Sequence, residues 1–157
     1  MKWLICFLCV LSSLTCLSNE KLSLEECINL IEAGRGAEAQ KSLQVLFSEQ
    51  AEAELWNEDR FATAFMLLSN VYSSEGQLRK VSDLCREALK VFNQKSKVAN
   101  TEFSRQLWRL SGAVQVELKD YDNAIRYLQQ SQWMYEDESI YDMGYFTVLT
   151  LLGGCYL

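Results

Sequence analysis

The chain repeats itself. Three segments share one skeleton: LEECINLIEAGRGAEAQKSLQVL (24–46), FMLLSNVYSSEGQLRKVSDLCREAL (65–89) and WRLSGAVQVELKDYDNAIRYLQQS (108–131). A fourth begins as LTLLGGCYL and stops at Leu157. The small residues Cys27, Ser69, Gly112 and Gly153 are spaced by 42, 43 and 41 positions. A second set of small apolar residues, Ala39, Val81 and Ala124, is spaced by 42 and 43. Two independent markers in step define a structural period. A unit of this size cannot bury its apolar face alone, so it must stack on its neighbours in a linear array.

Within each unit the apolar residues follow a helical period. Phe61, Phe65, Leu68 and Tyr72 fall at i, i+4, i+7 and i+11, one helical face. After a turn, Val81, Leu84, Cys85, Ala88 and Phe92 continue the pattern. In the third unit Trp108 and Gly112 mark the first helix, and Tyr121, Ala124, Ile125, Leu128 and Tyr135 mark the second. The turns carry breakers: Gly34 and Gly36, then Gly76, then Lys119-Asp120. Ser23-Leu24-Glu25-Glu26 has the form of a capping box opening the first helix. Polar stretches at 93–102 and 136–142 read as linkers between units. No strand-length alternation of β-branched residues is present, and there is no Pro. Hydrophobic residues make up 49% of the chain, enough for a core. The expected fold is all-α: a right-handed superhelix of stacked antiparallel helix pairs, about 3.5 repeats long, over residues 20–157. The array is expected to be truncated within its fourth repeat, leaving Val148, Leu149, Leu152 and Tyr156 without a second helix to cover them.

Residues 1–18, MKWLICFLCVLSSLTCLS, have a different character. Lys2 supplies a positive start, Trp3 to Leu11 are an unbroken apolar run, and Ser12 to Ser18 are smaller and more polar. This is the layout of a secretory signal peptide, with a cut after Ser18. The run is shorter than the roughly 20 apolar residues of a membrane span. An uncleaved anchor, a buried first helix and a lipoprotein with Cys16 lipidated are the alternatives, although Ser13 and Thr15 fit the lipoprotein box poorly. The reading implies export, to a periplasm or the exterior, with membrane attachment only through an uncleaved signal or a lipid at Cys16. It also discards the Cys6-x-x-Cys9 pair. Cys27, Cys85 and Cys155 remain, too few and too widely spaced for a disulfide framework, and they read as buried, inert thiols.

The repeat skeleton resembles the tetratricopeptide repeat (TPR) family, whose first helix carries a large apolar residue, then Leu-Gly, then Tyr. Unit two matches with Phe65, Leu68-Ser69, Tyr72, Gly76, Leu78 and Ala88. Unit three matches with Trp108, Gly112, Tyr121, Ala124 and Leu128, most closely in the run Lys119 to Ile125, though Gln115 and Ser131 depart from the pattern. Unit four offers Leu149, Leu152-Gly153 and Tyr156; unit one holds mainly Leu30, Gly34 and Ala39. The period near 42 and the missing closing Pro resemble the longer-repeat branch of the family.

The resemblance implies a concave groove that holds a partner segment, lined by first helices. Carried onto matching positions, it names Thr63, Met66, Asn70 and Ser73 in unit two, and Gln106, Arg109, Ala113 and Val116 in unit three. Some members clamp a partner's terminal carboxylate with Lys and Asn on successive helices. Asn70 stands at the right place, but Met66 occupies the Lys position.

Chemistry in the chain itself is not expected. There is no His, which removes the commonest general base, nucleophile partner and metal ligand. Gly34-Arg35-Gly36 lacks the length, Lys and preceding strand of a phosphate loop. Glu136-Asp137-Glu138 reads as solvated linker, Trp108 as core, and Trp56 and Trp133 as partly exposed. A net charge of -6 argues against nucleic acid as a partner. The expectation is therefore a non-enzymatic scaffold that binds a protein or peptide segment, with no cofactor and no metal. The alternative is a sensor or regulatory front end of a larger signalling or caspase-like protease protein, whose catalytic part lies beyond Leu157.

Overall fold

The computed structural model describes residues 22–157, in which seven α-helices follow one another and no strand occurs. They are α1 (Leu24–Glu32), α2 (Gly36–Glu52), α3 (Glu58–Ser74), α4 (Leu78–Lys95), α5 (Glu102–Glu117), α6 (Tyr121–Asp137) and α7 (Met143–Cys155). The signal reading of 1–18 and Cys16 lie outside the described residues.

Each helix packs on the next, and the contacts run antiparallel. Early α5 meets late α6 where Ser131 Oγ donates to Arg105 O at 3.2 Å and Asn100 Nδ2 donates to Met134 O at 2.8 Å. Early α7 meets late α6 where Tyr145 Oη donates to Glu136 Oε1 at 2.9 Å. The C-terminal end of α4 reaches that of α2 where Lys95 Nζ donates to Ala53 O at 2.9 Å. This is the packing of a helical array, with α1, α3, α5 and α7 as first helices and α2, α4 and α6 as second helices.

Local chemistry starts and stops these helices where the repeat predicts. Ser23 Oγ accepts from Glu26 N while Ser23 N donates to Glu26 Oε2, the expected capping box. Asn57, Thr101, Asp120 and Asp142 cap α3, α5, α6 and α7 through their side-chain oxygens. Four helix ends then close by one device. A residue with positive φ (Gly34, Gly76, Lys119 or Ser139) follows the helix, and the next N–H turns back to a carbonyl five residues earlier. Those bonds are Arg35 N to Leu30 O, Gln77 N to Tyr72 O, Asp120 N to Gln115 O and Ile140 N to Tyr135 O, all 2.8 or 2.9 Å.

The core runs through the stack. Phe61, Phe65, Leu68, Tyr72, Val81, Leu84, Cys85, Ala88 and Phe92 are all buried, as the helical period required. Phe103 of α5 meets Phe61, Phe65 and Phe92 with ring centroids 5.7–6.0 Å apart, joining unit three to unit two. A second cluster holds Leu128 and Tyr135 of α6 with Val148 and Leu152 of α7.

Four expectations need correction. Trp108 is only half-buried and stacks beside Tyr127 at 5.7 Å; its neighbour Leu107 takes the fully buried place. Cys27 and Cys85 are buried, but Cys155 is partly exposed. Of the four apolar residues expected to lie bare on the last helix, Val148 and Leu152 are covered by α6, and only Leu149 and Tyr156 are exposed. The linkers are shorter than read, because α4 continues through Asn93-Gln94-Lys95 and α6 through Glu136-Asp137.

Candidate functional site

The first helices converge on one hollow. Met66, Ser69, Asn70 and Ser73 come from α3, Gln106, Arg109, Leu110 and Ala113 from α5, and Thr147 from α7. They enclose a cavity of about 140 Å³. Helical geometry explains the set: Met66, Asn70 and Ser73 recur at i, i+4 and i+7, as do Gln106, Arg109 and Ala113 at i, i+3 and i+7. The α3 triplet lies away from the buried Phe61–Phe65–Leu68 stripe of its helix, and the α5 triplet away from the buried Phe103, Leu107 and Val114 of its own.

Six of the expected groove residues therefore meet around one cavity: Met66, Asn70, Ser73, Gln106, Arg109 and Ala113. Thr63 does not reach it; its Oγ1 donates to Asp59 O at 2.7 Å. Val116 turns the other way and packs against the cluster between α6 and α7. Thr147 was not among the sequence expectations. It could have been found by extending the period into the last helix, since Arg109 and Thr147 lie close in the fold only because α5 and α7 are both first helices.

A wider hollow of about 500 Å³ adjoins the first and shares Gln106, Arg109 and Thr147 with it. Its far wall is Tyr135 of α6 with Ile140, Asp142, Met143 and Gly144 at the entry to α7, and Glu102 and Arg105 complete it. Tyr135 is the pivot of this wall. Burial raises its phenol above the ordinary value, with Asp142 pushing the same way and the Arg109 and Arg105 guanidiniums opposing. A Cβ at Gly144 would run into the Tyr135 hydroxyl, so a larger residue there would push the Tyr135 ring aside.

The polar groups are unequally committed. Arg105 donates from Nη1 to Asn100 Oδ1 at 2.9 Å and lies over the Tyr135 ring. Gln106 Nε2 donates to Glu102 Oε1 at 3.0 Å. Asp142 Oδ1 accepts from Tyr145 N at 3.0 Å as the α7 cap. Arg109 lies beside the Tyr135 hydroxyl, but its Nε is buried with no hydrogen-bond partner among the described residues.

A separate hollow of about 310 Å³ lies between the second helices α2 and α4, where Lys80 sits 5.4 Å from the centre of the Tyr72 ring. Among the described residues no group of three or more His, Cys, Asp or Glu is placed to hold a metal ion. None of the described helices is long and apolar enough to cross a membrane.

No family model and no curated protein matches this sequence. Among solved structures, the crystal structure of BtubC (BKLC) from P. vanneervenii superposes with a TM-score of 0.68 at 15% identity. The match covers 81% of this chain and 50% of that one, so the chain spans about half the length of its neighbour. At that identity the likeness is one of fold.

Proposed function

We propose that the chain is a non-enzymatic scaffold of TPR type whose first-helix groove binds an extended or helical segment of a partner protein. Its units form a right-handed superhelix, and the chain is exported before it acts, to a periplasm or the exterior. The observation that carries the reading is the convergence of six family-placed positions on one cavity between α3, α5 and α7. Surface residues with no shared task need not cluster this way. The lining mixes a Met, small side chains, amides and one cation, a chemistry suited to a peptide backbone and its side chains.

The test is selection of binders from a library of random peptides displayed with their C-termini fused to the carrier. A shared sequence pattern is expected. Binding is expected to vanish in Ala113→Arg, which fills the groove, and to persist in Arg86→Ala on the exposed side of α4. Binders indifferent to Ala113→Arg, with helicity unchanged, would rule out the groove.

A further inference from the structure

We propose that Arg109 receives an acidic side chain, an Asp or Glu carboxylate at an internal position of the bound segment. This rests on the groove reading above and makes it more specific. Arg109 is the one charged residue among those lining the smaller cavity. It makes no ion pair within 4.0 Å among the described residues. A buried donor of a charged group left without a partner is costly, and a carboxylate is the acceptor that matches a guanidinium fork. The other charged groups, which line the adjoining hollow, are occupied. Arg105 is held by Asn100, Glu102 by Gln106, and Asp142 by the α7 cap. Arg109 thus holds the Tyr135 hydroxyl but has no carboxylate partner among the described residues and keeps its Nε unpartnered, with the exposed Asn70 amide available across the cavity on α3.

The position of Arg109 selects an internal side chain over a chain terminus. Arg109, Gln106 and Thr147 line both hollows, so they stand where the two join. A segment running from one hollow into the other presents a side chain at that joint. A segment ending at the joint would leave one of the two hollows unfilled. The chain as a whole is acidic, with net charge -6, so its long-range field does not draw acidic partners; the recognition is local to Arg109.

The peptides selected from the fused library carry no free C-terminal carboxylate, so an Asp or Glu in their shared pattern reports on side-chain recognition. Synthetic versions with amidated C-termini, bearing Glu or Gln at that position, are then titrated against the native chain, Arg109→Gln and Asn70→Asp. On the native chain the Glu peptide is expected to bind about tenfold or more tighter than the Gln peptide. Arg109→Gln is expected to erase that preference. Asn70→Asp, at an exposed position that keeps the fold, is expected to weaken the Glu peptide several-fold more than the Gln peptide. A shared pattern without an acidic position overturns the proposal, as does a Glu preference that survives both substitutions, or binding restored only by a free C-terminus. Those results leave the groove reading standing. A library that yields no groove-dependent binder ends both.

Discussion

Gly112 shows how a single residue sets the spacing of two helices. A Cβ at this position would lie 2.5 Å from Leu128 Cγ and 3.2 Å from the Leu128 backbone nitrogen. The backbone of α6 cannot move aside cheaply. Alanine favours helix over glycine by up to about 1 kcal/mol, but overpacking a filled interface costs about 1–3 kcal/mol. Overpacking wins here, so Gly112→Ala is expected to lower stability, and Gly112→Leu to lower it further. Gly153 holds the corresponding place in the last helix and meets nothing within 4 Å. There only the propensity term operates, and Gly153→Ala is expected to raise stability by about 0.5 kcal/mol. Opposite shifts in urea midpoint would confirm the contrast; equal shifts would show that α5 and α6 do not meet at Gly112. Cys85 gives a second residue-scale prediction. Burial pushes its thiol up to about 12 from an ordinary 9.0, with Ser111 opposing through a hydrogen bond. A raised folded value means the stabilisation is whole below pH 9 and is lost as pH climbs toward 12. By pH 10 the loss is on the order of 1 kcal/mol. Native protein is expected to lose stability over that range more steeply than Cys85→Ala, and native Cys85 to resist alkylation at pH 8. Parallel pH profiles for the two proteins would contradict this.

At the scale of the helical element, the four matching turns are more regular than their sequences. Gly34 and Gly76 adopt φ of +73° and +69°, which glycine does at no steric cost. Lys119 and Ser139 adopt φ of +62° and +54° in the same device, against the preference of a residue with a Cβ. The tertiary stack holds them there. Lys119→Gly is therefore expected to raise stability by about 1 kcal/mol, a shift of a few degrees in thermal midpoint. A lower midpoint would mean that Lys119 does not occupy the left-handed region. Here too lies the boundary of what the sequence discloses. The Phe61–Tyr72 stripe and the capping box at Ser23 were legible because both are local patterns. Trp108 is misplaced by the sequence because a large aromatic at a repeat position resembles core, whereas Leu107 beside it takes the buried place in the cluster with Phe61, Phe65 and Phe103. The linkers were misjudged because Asn93-Gln94-Lys95 and Glu136-Asp137 are polar yet contain no helix breaker. The left-handed turns at Lys119 and Ser139 leave no glycine to read. Six groove positions were legible through helical spacing, but the unpaired Arg109 Nε was not, since it arises only when α5 is set between α3, α6 and α7.

Units that cannot bury their own faces stack, stacking aligns first helices with first helices, and the hollow between α3, α5 and α7 follows from that alignment. The fold likeness to BtubC (BKLC) agrees with this architecture and extends over most of the described chain. The central claim is that this hollow, and not the face carried by α2, α4 and α6, contacts the partner segment. The most direct measurement places a photoreactive amino acid at Asn70, on the hollow, or at Arg86, on the exposed side of α4, and irradiates each variant with a peptide selected from the library. The account predicts covalent capture from position 70 and little from position 86. Equal capture from both, or capture from position 86 alone, would contradict it.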